Sequence, residues 1–135
     1  MAKPEFFTRN SPRLTLQGAR LILAAAARRA AAIGVPMDIA VSKAWTAACA
    51  RRATHEYAEM AAPGRPAFGI NIGNQGRFMI VGGGLPIFVD GRIVGGIGCS
   101  SGTTQQDRDA ATAGIGALSA RTRPARRRPG ARRTR

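Results

Sequence analysis

Histidine, tryptophan and tyrosine occur once each in this chain and cysteine twice. A single imidazole, His55, cannot by itself complete a zinc set, and Cys49 and Cys99 have neither CxxC spacing nor a histidine close in sequence. Both thiols are expected to be reduced and to act as small hydrophobes, and a cytoplasmic location is expected with them. Aromatics make up only 5% of residues, and Trp45 and Tyr57 are not interleaved with a basic stripe, so sequence-specific nucleic-acid recognition is not expected of the body. No apolar run reaches the roughly 18 residues that a membrane span requires. Arg28 and Arg29 interrupt the stretch 21–27 that resembles a secretory core, and no membrane association is expected.

Acidic residues are scarce as well, seven against 21 Lys and Arg, for a formal charge of +14. Eight of the cations are arginines between Arg121 and Arg135; residues 1–120 hold thirteen cations and all seven acids. A like-charged block broken by Pro124, Pro129 and Gly130 cannot bury apolar surface, so 121–135 reads as a disordered tail. Such a tail binds nucleic acid without specificity, through salt-sensitive counterion release. Residues 1–13, with Phe6 and Phe7 among Pro4, Asn10, Ser11 and Pro12, read as an arm whose rings pack on the domain or on a neighbour. One domain, 14–120, remains, with an apolar fraction (44% over the chain) that can fill one core.

Within it, Thr15 as N-cap, apolar residues at 16, 19, 22, 23, 26, 30 and 33, and a Gly34–Pro36 stop predict a first helix. Residues 37–41 are ambiguous between a short strand and the start of a helix capped by Asp38; the spacing of Val41, Trp45, Ala48 and Arg52 favours the helix. A further helix is expected from Thr54 to Met60. Beyond Pro66, β-branched and aromatic runs predict strands over 68–72, 77–81, 85–89 and 92–99, with Asp90-Gly91 as a type I′ hairpin turn. Thr103 and Gln106 have capping-box spacing at the head of a last helix with an apolar face of Ala110, Ala111, Gly114, Ile115 and Leu118. Helices followed by an antiparallel meander and a closing helix imply an α+β layer.

Three motifs bear on chemistry. Gly98-Cys99-Ser100-Ser101-Gly102 matches G-x-S-x-G, but an α/β-hydrolase needs its histidine after the serine, whereas His55 precedes it. The same loop, Ser100, Ser101, Gly102, Thr103 and Thr104 with Asp107 following, reads either as a Ser/Thr-rich cap or as an anion pocket for carboxylates at a helix N-terminus. Gly82-Gly83-Gly84 has no Lys-Ser/Thr after it and marks a close approach of backbones rather than a phosphate loop. His55 is either an iron ligand or a half-exposed residue at a helix start. Asp107 and Asp109 are explained by the helix dipole alone.

The run Leu14-Thr15-Leu16 opening an Ala-rich helix that ends Ile33-Gly34-Val35-Pro36 resembles the start of the GlcG/HbpS-type haem-binding family. Gly82-Gly83-Gly84-Leu85-Pro86-Ile87 and Gly95-Gly96-Ile97-Gly98-Cys99-Ser100-Ser101-Gly102-Thr103, with Gln106 and Asp107, resemble its signature blocks. The resemblance, shared with the C-terminal domain of PduO-type proteins, implies a profilin-like antiparallel β-sheet flanked by α-helices, a homo-oligomer, and binding of haem or a related tetrapyrrole, or of another carboxylate-bearing small molecule. The expected site is Ser100 to Thr104 with Asp107, walled by Phe78, Ile80 and Ile97, with His55 as a further candidate; a binding domain is expected rather than an enzyme, haem degradation being the alternative. One departure stands out: Met37 runs directly into Asp38 where the family inserts a strand pair, so the sheet is expected to lack two N-terminal strands, leaving an open edge.

Overall fold

The computed structural model describes residues 13–122; the arm before Arg13 and the tail beyond Thr122 lie outside the described residues. Thr15 caps α1 (Leu16–Ala32) by accepting from Gly18 N at 3.1 Å, and Gly34 at φ 68° ends it. Two residues of strand, β1 (Asp38–Ile39), precede α2 (Val41–Ala50) and α3 (Thr54–Met60). A long irregular segment leads to β2 (Gly84–Val89), β3 (Arg92–Ser100) and α4 (Thr104–Thr122). The architecture is α+β, a three-stranded antiparallel sheet in the order β1-β3-β2 between helices.

Alternation along β3 builds the layers. Ile97 and Cys99 enter the core with Ile22 and Ala26 of α1, Ile87 of β2, and Ala110, Ala111 and Leu118 of α4. Gly114 lets α4 settle on Ile22, where a Cβ would stand 2.9 Å from its side chain. The opposite face of β3 carries Gly96 and Gly98, and a Cβ on either would strike the backbone carbonyl of Ala44 or Ala40 in and before α2. These two glycines are what allow α2 to lie on the sheet.

Asp90 (φ 50°) and Gly91 (φ 74°) make the expected hairpin turn between β2 and β3. The expected strands over 68–72 and 77–81 do not form. Gly69, Gly73 and Gly76 break the first run into turns, and the second has its backbone claimed by a side chain: Thr46 of α2 accepts from Met79 N at 2.8 Å and donates to Arg77 O at 3.3 Å. Phe78 is held there, edge-on to Trp45 at 5.7 Å and tilted against Tyr57 at 5.1 Å. The meander is thereby reduced to one hairpin plus β1. The ambiguous segment 37–41 is divided: Asp38 is not the N-cap but pairs with Ser100 as strand, and α2 starts behind Ala40 with no side-chain cap.

Candidate functional site

The loop from Ser100 to Thr104 joins the end of β3 to α4, and its own residues satisfy most of its polar groups. Thr103 and Gln106 form the reciprocal capping box, Thr103 N donating to Gln106 Oε1 at 2.9 Å and Gln106 N to Thr103 Oγ1 at 3.2 Å. Gly102 N donates to Asp107 Oδ1 at 3.0 Å. Ser101 sits at φ 91°, an uncommon conformation for a residue with a side chain, and donates its hydroxyl to Asp38 Oδ2 at 2.9 Å. The hydroxyl-bearing Ser101, Thr103 and Thr104 are exposed and Ser100 is half-buried.

Beneath the loop lies a group that composition and spacing did not disclose. Lys43 of α2, 4% exposed, donates from Nζ to Asp107 Oδ2 at 2.9 Å and to Cys99 O at 2.8 Å; Asp107 is 3% exposed. Two opposite charges removed from water persist only with close pairing and further hydrogen bonds, and both conditions are met. The pair ties α2, the end of β3 and the first turn of α4 to one point. Asp107 therefore has a partner beyond the helix dipole, and both of its oxygens are engaged inside the protein. Asp109, likewise assigned to the dipole alone, pairs at the surface with Arg29 of α1 at 2.6 Å, and that contact raises the Arg29 pKa. Lys43 carried no signal in the sequence beyond its position in an otherwise apolar and small helix face.

The Gly82-Gly83-Gly84 run packs against the same group, as a close approach of backbones. A Cβ on Gly82 would collide with the Thr104 side chain, one on Gly83 (φ 108°) with Cys99 O, and one on Gly84 with Lys43 O. Gly84 N donates to the buried Thr54 Oγ1 at 2.9 Å, bringing the head of α3 alongside. Loop, glycine run and α3 thus meet at one end of the sheet.

His55 follows Thr54 there, and its Nδ1 is buried without a hydrogen-bond partner. Glu56 is turned to Arg52, at 3.6 Å. No cluster of three or more His, Cys, Asp or Glu able to hold a metal occurs among the described residues. The three walls expected around the loop are not on one face: Ile97 lies in the core with α1 and α4, whereas Phe78 packs under α2 and α3. Cys99 is 1% exposed, and burial followed by the Asp107 charge raises its thiol pKa to about 11, Lys43 opposing the shift. Cys49, expected to act as a small hydrophobe, is a free thiol exposed at the surface.

A second concavity runs along the other side of the molecule, between α1 and the β1 edge. One lobe, about 310 Å³, is lined by Leu23, Ala27, Met37, Ile39 and Cys99; the other, about 180 Å³, shares Leu23 and Ile39 and continues to Leu14 and Gly96.

The chain is similar in sequence and fold to known proteins. A family model described as "Haem degrading protein HbpS-like" matches residues 37–116, a span holding the whole Lys43–Asp107 group. The corrinoid adenosyltransferase PduO of Salmonella typhimurium is 37% identical over 91 residues, 67% of this chain and 27% of PduO. The chain spans half or less of the length of the curated relatives it matches. Among solved structures, Klebsiella pneumoniae protein ORFY superposes with a TM-score of 0.74 at 27% identity, covering 84% of this chain and 98% of that one. A PduOC–haem complex superposes with a TM-score of 0.71 at 29% identity, covering 78% and 94%. With its glycine-rich strand and its capped loop inside a matched span that covers more than half of the sequence, the chain belongs to the HbpS-like family.

Proposed function

We propose that this chain is a binding domain for haem or a related tetrapyrrole, working as a homo-oligomer, with the ligand's carboxylates at the loop Ser100 to Thr104. The observation that carries the reading is the family match over residues 37–116 together with the likeness to a solved haem complex. The loop suits the carboxylate side of such a ligand: exposed hydroxyls of Ser101, Thr103 and Thr104 stand at the positive end of α4, a helix of 19 residues. Asp107 then acts from beneath, orienting the Gly102 amide rather than touching the ligand.

His55 fits the iron poorly. Ligating imidazoles are held by an acceptor on the other ring nitrogen, and Nδ1 of His55 has no partner of any kind. Haem, when bound, would supply the redox-active iron, and the loop residues would set its orientation. The family model's description favours haem degradation as the second reading.

Titration of the purified chain with haemin should give a saturable Soret shift at micromolar concentrations, and a flat titration would sink the proposal. Thr103→Ala should weaken that binding while His55→Ala leaves the Soret maximum in place. The reverse pattern assigns the iron to His55. Incubation with haem, oxygen and a reductant distinguishes degradation from binding: loss of the Soret band with product formation supports the second reading, and an unchanged spectrum over hours supports the first.

A further inference from the structure

Asp38 stands at the border of the loop with its charge unmatched. As the first residue of β1 it pairs with Ser100, and at the exposed surface its Oδ2 accepts the Ser101 hydroxyl at 2.9 Å. The two carboxylates of α4 are both matched, Asp107 by the buried Lys43 and Asp109 by Arg29. Lys43 is spent on Asp107 and on Cys99 O. Among the described residues no cation comes within ion-pair distance of Asp38.

The loop is polarised as a result. From Thr103 onward it suits an anion: the first-turn amides of Thr104 and Gln105 have no acceptor inside the helix, and Thr103 and Thr104 add exposed hydroxyls at the positive end of α4. The two amides before them are already given away, Gly102 N to Asp107 and Thr103 N to Gln106. At Ser101 the sign reverses. Its hydroxyl hydrogen is directed to Asp38, so an incoming carboxylate meets lone pairs and a negative charge there in place of a donor. One carboxylate can settle on the Thr104 side, whereas a second brought to the Ser101 side is repelled.

We propose that Asp38 is a specificity-determining residue of this loop, making it favour a tetrapyrrole that brings one carboxylate over one that brings two. This preference rests on the binding function proposed above and names the class of ligand that the same site selects. Like charges a few ångströms apart at a protein surface, partly screened by water and salt, shift an affinity by roughly three- to tenfold. Asp38 acts in this way because its charge is both exposed and unmatched; Asp107, neutralised beneath the loop, exerts no comparable repulsion.

The test titrates the full chain at low ionic strength with haemin, its monomethyl ester and its dimethyl ester, following the Soret band. The parent should bind the monoester more tightly than haemin. Asp38→Asn keeps an acceptor for the Ser101 hydroxyl and removes the charge. It should tighten haemin binding by about three- to tenfold and leave the dimethyl ester within about twofold of the parent. Glu59→Gln, an equal change of net charge on the exposed surface of α3, should move none of the three. Asp38 loses the role if Asp38→Asn shifts all three ligands alike, which is a structural effect, or if Glu59→Gln reproduces the gain for haemin. A parent that prefers haemin to the monoester also overturns it, with the binding function left standing. A parent that binds all three equally, or none of them, removes carboxylate recognition by the loop, and the proposed site and the role of Asp38 fall together.

Discussion

The two ends of β3 are held by opposite means. At its C-terminal end, polar groups converge: Lys43 bonds to Asp107 and Cys99 O, Asp107 to Gly102 N, and three successive glycines make room for them. Between α1 and the β1 edge there is instead an apolar groove in which Leu23 and Ile39 keep much of their surface. A buried ion pair whose two charges are matched and further hydrogen-bonded is self-contained, whereas the groove leaves apolar side chains partly in water.

The sharpest way to break this contrast is to remove one partner of the ion pair. Lys43→Ala or Asp107→Ala should cost about 3–5 kcal/mol in chemical denaturation, because the remaining charge is buried alone. The double change Lys43→Met with Asp107→Leu should recover most of the loss, and if each single change costs under 1 kcal/mol the pair is not the tie described above. Gly96→Ala comes next, at about 1–3 kcal/mol, since its Cβ has to displace the Ala44 carbonyl. At the exposed start of α2, Val41→Ser at a position 76% exposed should change stability in denaturation by less than about 0.5 kcal/mol.

Thr103→Ala should cost about 1 kcal/mol by opening the capping box, measured as a lower midpoint without change in denaturant slope. The raised Cys99 thiol gives a pH signature. A thiol whose folded pKa is about 11, against an ordinary value of 9.0, binds its proton more tightly when folded. Its contribution is therefore complete below pH 9 and is lost as pH rises toward 11. Stability followed by denaturation over that range should fall more steeply in the parent than in Cys99→Ala, and alkylation at pH 8 should reach Cys49 long before Cys99. The smallest effect is expected from the tail. Ending the chain at Thr122 should leave haemin binding unchanged and remove low-salt retention on nucleic acid, while a body that binds as tightly as before would exonerate the arginines.

Local rules carried much of the fold into the sequence. Thr15 and Gly34 bracket α1, Asp90-Gly91 turns the hairpin, and Thr103 with Gln106 caps α4, because each device acts within a few residues and needs no distant partner. The runs 68–72 and 77–81 misled for the converse reason. Gly69 turns the first run, and in the second Thr46, more than thirty residues away, takes the backbone groups of Arg77 and Met79 that a strand partner would have used. The candidate loop from Ser100 was visible as a motif, while its support was not: that Lys43 reaches Asp107 depends on Gly96 and Gly98 admitting α2 to the sheet.

The sequence by itself determined the helices at either end of the domain, the β2–β3 hairpin, the capped loop and the family. Each rests on spacing and composition within a short window, and several such windows occur in the family's order. The tertiary structure alone decided that Asp107 is neutralised by Lys43, that Phe78 belongs to an aromatic cluster under α2 rather than to a strand, and that 38–39 becomes a two-residue edge strand before α2 begins. In each case the choice is made by a contact between residues far apart in sequence, where burial leaves a charge, a ring or a peptide group with one available partner.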